Sequence, residues 1–212
     1  MTHSRWRFPR LRAILRPANR YPLDRWISRE GARLNGLVLN VGSGLDAQPF
    51  GRRVVRLDQY APEPTVRGDL HAALPFVDRS FDAAVCTEVL EHVEDARFVL
   101  AEIARVVRPG GQVLVSVPFV FHYHEDPRDV RRYTPAGLRA ALQDAGFDVE
   151  LAGGLGNKLT ALFLLIESVH PITKLLVRVA LLPIGNLCAS WRPDDRNWSD
   201  WAANAVARAR RR

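Results

Sequence analysis

The run Leu37-Val38-Leu39-Asn40-Val41, closed by Gly42-Ser43-Gly44, constrains the fold more than any other stretch of this chain. An almost wholly apolar run without alternation reads as a strand buried on both faces, and such strands belong to parallel sheets covered by helices. The glycines that follow permit a tight turn and a close approach of backbone to a ligand. In open parallel sheets ligands sit beyond the carboxyl ends of the strands, so the residues that end each strand carry the information about function.

The pattern recurs downstream. Val54 to Asp58 reads as a second strand, Thr65 to Arg67 as a short third, Phe81 to Cys86 as a fourth, Gln112 to Val117 as a fifth and Phe147 to Leu151 as a sixth. Phe98, Val99, Ile103, Val106 and Val107 fall at helical spacing within 94–107, and Arg108-Pro109-Gly110-Gly111 reads as the stop. Thr134-Pro135 supplies an N-cap and a first-turn proline for a helix that runs to Ala145 before Gly146. Such alternation predicts a Rossmann-like, doubly wound α/β fold with a mainly parallel seven-stranded sheet. The seventh strand is expected over Ala202 to Ala209. Apolar stretches at Leu159 to Ile166 and Leu175 to Ile184 predict a helical insertion at about 156–192 between strands six and seven. Residues 1–35 are expected to form a basic arm or helices ahead of a domain at 36–212.

Charge is distributed unevenly. Before the first strand, Arg5, Arg7, Arg10, Arg12, Arg16, Arg20, Arg25, Arg29 and Arg33 face only Asp24 and Glu30, which already equals the net +7 of the whole chain. A segment like this can meet nucleic acid, anionic lipid or an anionic substrate, or simply be solvated. With 47% hydrophobic and 25% charged residues, disordered and fibrous classes are excluded. Cys86 and Cys188 lie far apart, which suits a reducing compartment and no disulfide. The N-terminus offers no apolar stretch of signal-peptide length, Ala13-Ile14-Leu15 being far too short, and neither apolar stretch of the insertion reaches the roughly 18 to 20 residues that span a bilayer. A cytoplasmic location is expected, with peripheral contact to the inner face of the membrane as the alternative.

At the strand ends, Asp58 is placed to accept both hydroxyls of a ribose, and Asp69 in Gly68-Asp69-Leu70 to accept an adenine amino group. The third glycine of a dinucleotide fingerprint is replaced by Asp46. A carboxylate there disfavours a pyrophosphate and suits S-adenosylmethionine, which carries a sulfonium and an ammonium and no phosphate.

The order of the glycine turn, Asp58, Gly68-Asp69-Leu70, Leu74-Pro75-Phe76, Ser80-Phe81-Asp82, Glu88-Val89-Leu90-Glu91-His92-Val93 and Arg108-Pro109-Gly110-Gly111 resembles the class I S-adenosylmethionine-dependent methyltransferases, and within them the type-11 branch. The resemblance spans about Leu37 to Glu150. It implies S-adenosylmethionine as cofactor, with Gly42, Ser43 and Gly44 at its methionine end, Asp58 and Gln59 at the ribose, Asp69 and Leu70 at the adenine, and Thr87 and Glu88 flanking the methyl group. Asn40 and Asp46 depart from the acidic residue and the glycine usual at those positions.

The segment His122 to Tyr133 follows strand five on the ligand side of the sheet and holds most of the remaining chemistry. His124 is the expected general base, oriented by Glu125 or Asp129, and His92 the second candidate. Tyr123, Glu125, Arg131 and Tyr133 are expected to touch the substrate. No pair of residues has a convincing ligand framework, so no metal is expected. The function expected is methyl transfer to an oxygen or nitrogen of a small-molecule, sugar or lipid-linked acceptor. Nucleic-acid methylation competes on charge, but Thr87-Glu88-Val89-Leu90 stands where an Asn/Asp-Pro-Pro-Tyr motif would be, and no RNA-binding module is present. A cofactor-binding protein without catalysis is the third reading, supported by Asn40 and Asp46.

Overall fold

The computed structural model describes residues 20–44, 50, 53–62, 64–124, 128–167 and 201–212. Along the chain these form α1 (Arg20–Gly31), β1 (Leu37–Val41), β2 (Arg53–Asp58), β3 (Val66–Arg67), β4 (Phe81–Thr87), α2 (Ala96–Val106), β5 (Val107–Pro118), α3 (Pro135–Asp144), β6 (Phe147–Leu155), α4 (Lys158–Glu167) and β7 (Asn204–Arg211). The seven strands make one sheet in the order β3-β2-β1-β4-β5-β7-β6. β1 to β5 pair in parallel, while β7 runs antiparallel between β5 and β6. The strand order reverses at β1 and β4, which opens a crevice at their carboxyl ends.

Both faces of the sheet are covered. On one, Leu100 and Ile103 of α2 and Leu138 and Leu142 of α3 pack over Leu39, Val41, Ala84, Val113 and Val115. On the other, Leu23, Trp26 and Ile27 of α1, at helical spacing, pack over Val38, Val85, Leu114 and Val206. The residues at 20–31 are therefore a docked helix rather than a solvated arm. Glu30, 2% exposed, bonds the guanidinium groups of Arg29, Arg33 and Arg208 and ties this helix to β7. Residues 1–19 of the expected arm lie outside the described residues.

Local sequence explains most boundaries. Asp95 caps α2 by accepting from the Phe98 amide at 3.0 Å, and Thr134 caps α3 by accepting from the Gly137 amide at 3.0 Å. β7 lies two residues later than expected at each end, and two strands differ by more. β5 begins at Val107 rather than Gln112, because Phe81 pairs with Val107 and Ala83 with Gln112, so Arg108-Pro109-Gly110-Gly111 bulges out of a continuing strand instead of ending the pairing. β6 runs on to Leu155, because Gly153 and Gly154, weak strand formers by themselves, are held by pairing with Val206 and Ala205. Of the expected insertion, Lys158–Glu167 is helical, and the stretch Leu175 to Ile184 lies outside the described residues, as does Cys188. No helix among the described residues is long and apolar enough to cross a membrane.

Candidate active site

A cavity of about 720 Å³ lies beyond the carboxyl ends of β1, β2 and β4. Gly42, Gly44, Asp58, Gln59, Asp69, Leu70 and Glu88 line it, together with His71, Val89, His92 and Arg128. Ser43 and Thr87 flank these positions in sequence without lining it.

The glycine turn is fixed by the neighbouring strand. The amides of Gly42 and Ser43 both donate to the Leu57 carbonyl, at 2.8 and 3.3 Å. Gly42 has φ +65°, and a Cβ there would stand 2.4 Å from Val89 Cγ2, so no side chain fits. Gly44 donates its amide to Asp58 Oδ2 at 2.8 Å, while Asp58 Oδ1 accepts from the amides of Tyr60 at 2.8 Å and Ala61 at 2.7 Å. Each carboxylate oxygen has two acceptor positions. Oδ1 is thus filled by backbone, and one acceptor position on Oδ2 remains, where the sequence led one to expect room for both hydroxyls of a ribose. Asp69 Oδ1 takes the amide of His71 and faces its Nδ1, both at 2.9 Å, and the His71 amide holds the Asp69 carboxyl below its ordinary range. Asp46 lies outside the described residues, and Asn40 is buried in β1.

The other end of the cavity is built from buried carboxylates. Glu88 leaves β4 with φ +55°, a left-handed conformation costly for a residue with a side chain. Its amide donates to the Ser116 carbonyl at 3.0 Å, Oε1 accepts from Ser116 Oγ at 2.8 Å, and Oε2 accepts from Asn204 Nδ2 at 2.9 Å. Burial pushes the Glu88 carboxyl up to about 7, against the pull of the Ser116 bond. Glu91, 1% exposed, is driven well above the usual carboxylate range by burial and by Glu88, and its Oε2 has no hydrogen-bond partner.

His92 and His124 meet here edge to face, with ring centroids 5.1 Å apart. His92 Nδ1 bonds the Arg128 carbonyl, which assigns the proton to Nδ1 and the lone pair to Nε2. Burial lowers the basicity of this ring. His124 Nδ1 lies 3.1 Å from Asp129 Oδ2, which also accepts the His124 amide at 3.1 Å. Burial would raise Asp129, but the bonds from Arg132 outweigh it and keep the carboxyl low. Asp129 holds His124 through its backbone amide, while the ring Nδ1, buried beside Oδ2, makes no hydrogen bond; Glu125 lies outside the described residues. Tyr123 is 66% exposed, Tyr133 packs against the main core, and Arg131 bonds the Glu94 carbonyl; none of the three lines the cavity. Sequence reasoning missed Ser116, Asn204, His71 and Glu91. Only Glu91 carried a signal, an acid set inside the otherwise apolar Val89 to Val93.

The donor set suits S-adenosylmethionine. Asp58, Asp69, Glu88 and Glu94 face one guanidinium, Arg128, along the wall, a balance that favours a cationic ligand over a phosphate-bearing one. Residues 40–115 match the type-11 methyltransferase family, described as a methyltransferase domain. Over that stretch the chain is similar to the class I methyltransferases. S-adenosylmethionine is the cofactor of this family, and the domain carries its Rossmann-like sheet. A Mycolicibacterium smegmatis protein named "Probable S-adenosylmethionine-dependent methyltransferase" is 38% identical over 95 residues, which cover 42% of this chain and 37% of that one. The ubiquinone biosynthesis O-methyltransferase of Thiobacillus denitrificans is 31% identical over 142 residues, covering 57% of this chain and 61% of the relative. The chain thus spans less than two thirds of the length of these relatives. Among solved structures, the 1,6-didemethyltoxoflavin-N1-methyltransferase of Burkholderia thailandensis with bound S-adenosylhomocysteine superposes over 94% of this chain and 78% of its own, with a TM-score of 0.56 and 18% identity.

Proposed function

We propose that this methyltransferase domain moves a methyl group from S-adenosylmethionine to an oxygen or nitrogen of a small-molecule, sugar or lipid-linked acceptor. The observation that carries the reading is the cavity itself, in which the glycine turn, Asp58, Asp69 and Glu88 surround one space. An oxygen acceptor is favoured by the O-methyltransferase named among the relatives.

When bound, the cofactor supplies an electrophilic methyl on sulfur, so the protein's work is alignment and exclusion of water. Gly42 and Gly44 admit the ligand close to backbone, Asp58 Oδ2 and Asp69 hold its nucleoside end, and Glu88 stands beside the reacting centre. A hydroxyl acceptor must also lose a proton. His124 is assigned as general base, its ring standing against His92, which lines the cavity and is the second group able to take the proton. Calorimetry with S-adenosylhomocysteine tests the cofactor site and is expected to show one ligand per chain; absence of binding would sink the reading. Retention of full turnover by His124→Ala on an identified acceptor would remove the base assignment alone.

A further inference from the structure

Glu91, His92 and His124 each place one ligating atom within 4.8 Å of those of the other two. The cluster uses none of the residues assigned above to the cofactor. His92 Nε2 stands 3.6 Å from Glu91 Oε1, so a nitrogen lone pair faces a carboxylate oxygen across a gap too long for a good hydrogen bond. Glu91 is 1% exposed, and its second oxygen has no partner at all. A buried carboxyl with an unpartnered oxygen thus stands beside an imidazole lone pair, an arrangement that a bound cation would stabilise.

The surroundings match what metal-bound histidines need. A ligating imidazole presents one nitrogen to the ion and has the other held by a carbonyl or a carboxylate, which fixes the ring and its tautomer. His92 Nδ1 is held by the Arg128 carbonyl. His124 Nδ1 is buried without a hydrogen-bond partner, 3.1 Å from Asp129 Oδ2, and is a second unused polar atom of the cluster; Asp129 is itself clamped by Arg132. Two imidazoles and one carboxylate with further positions open is a set that takes divalent transition ions such as Fe²⁺, Zn²⁺ or Co²⁺, not Mg²⁺ or Ca²⁺, which prefer oxygen ligands alone.

We infer that Glu91, His92 and His124 form a binding site for one divalent transition-metal ion at the acceptor end of the cavity. His92 belongs to both the cluster and the cavity wall, so an ion there borders the space left for the acceptor. The inference rests on the methyl-transfer reading for its use, which is to hold an acceptor oxygen, but not for its existence. Ion and proton compete for the same lone pairs, and the histidines act as bases only when the ion is absent.

The test uses the untagged full chain, stripped with a chelator and titrated with Co²⁺ while its visible ligand-field bands are recorded. Zinc content after gel filtration and S-adenosylhomocysteine calorimetry are measured on the same samples. One ion per chain is expected, with binding weakened at least about tenfold in Glu91→Gln and in His124→Gln, and unchanged in Asp58→Ala. Thermal melts of the ion-free variants confirm that each is folded. Failure of the wild-type chain to take up the ion, or equal affinity in folded Glu91→Gln, overturns the site. If S-adenosylhomocysteine binds while the ion does not, the ion site alone falls; if the ion binds without S-adenosylhomocysteine, the site stands and the methyl-transfer reading falls.

Discussion

The two ends of the cavity handle their acids in opposite ways. Asp58 and Asp69 sit near water and are held by amides within fourteen residues of themselves, so their geometry is set by the local chain. Glu88 and Glu91 are enclosed, and the partners of Glu88 come from Ser116 and Asn204, 28 and 116 residues away. The first end costs little and acts by shape. The second stores unfavourable charge in the folded state and holds it ready for use by a proton, an acceptor or an ion.

The largest effect that would sharpen this contrast is expected at Asn204. Asn204→Leu keeps the volume but leaves Glu88 Oε2 without its donor in a closed space, and should lower stability by about 3 kcal/mol in urea unfolding. A change within error would mean that the buried end is not strained by charge. At the open end, Asp58→Asn, which keeps an oxygen for the Tyr60 and Ala61 amides, should weaken S-adenosylhomocysteine binding by about 10- to 30-fold, the loss of one hydrogen bond to a charged acceptor, with stability changed by less than about 1 kcal/mol. Equal losses of affinity and stability would erase the distinction between the two ends.

The third prediction concerns pH. Glu88 has its folded pKa raised to about 7 from 4.5, so the folded state binds the extra proton between those values and stability falls as pH rises from about 4.5 to 7, then levels. Glu91, Arg20 and Arg132 act on the same group, and Arg20 and Arg132 moderate the fall. Glu88→Gln should flatten that part of the profile and be more stable than the wild type at pH 8 by about 1 to 2 kcal/mol. It is well accommodated, because the buried Asn204 Oδ1 has no partner and can receive the new amide once Asn204 turns over. A parallel pH profile would refute the assignment. The smallest effect belongs to Gly44, where an added Cβ meets nothing within 4 Å and only φ +57° opposes it; Gly44→Ala should cost about 1 kcal/mol.

The same contrast explains what could be read from sequence. β1 is legible to the residue because a parallel strand covered on both faces is a continuous apolar run, and Asp58 and Asp69 are legible because their chemistry is decided at a strand end. The bulge in β5 is not, since Arg108-Pro109-Gly110-Gly111 spells a turn whether or not pairing resumes beyond it. The extension of β6 through Gly153 and Gly154 depends on β7, some fifty residues later, and no local pattern announces it. Ser116 and Asn204 are ordinary polar residues within strands, and only the register that sets Ser116 beside Thr87 and Asn204 beside Pro118 turns them into partners of Glu88. His124 and His92 were each legible as titrating residues, but their meeting with one another and with Glu91 was not, because the contact joins two loops more than thirty residues apart.

β7 also orders events in time. β6 pairs with β7, and β7 reaches β5 only after every other strand has been synthesised. Without that strand Glu88 has no Asn204 and Glu30 has no Arg208, whereas the backbone bonds of Asp58 and Asp69 all lie within the first 71 residues. One end of the cavity is thus finished by its own neighbourhood, and the other only by the last strand of the sheet to be made.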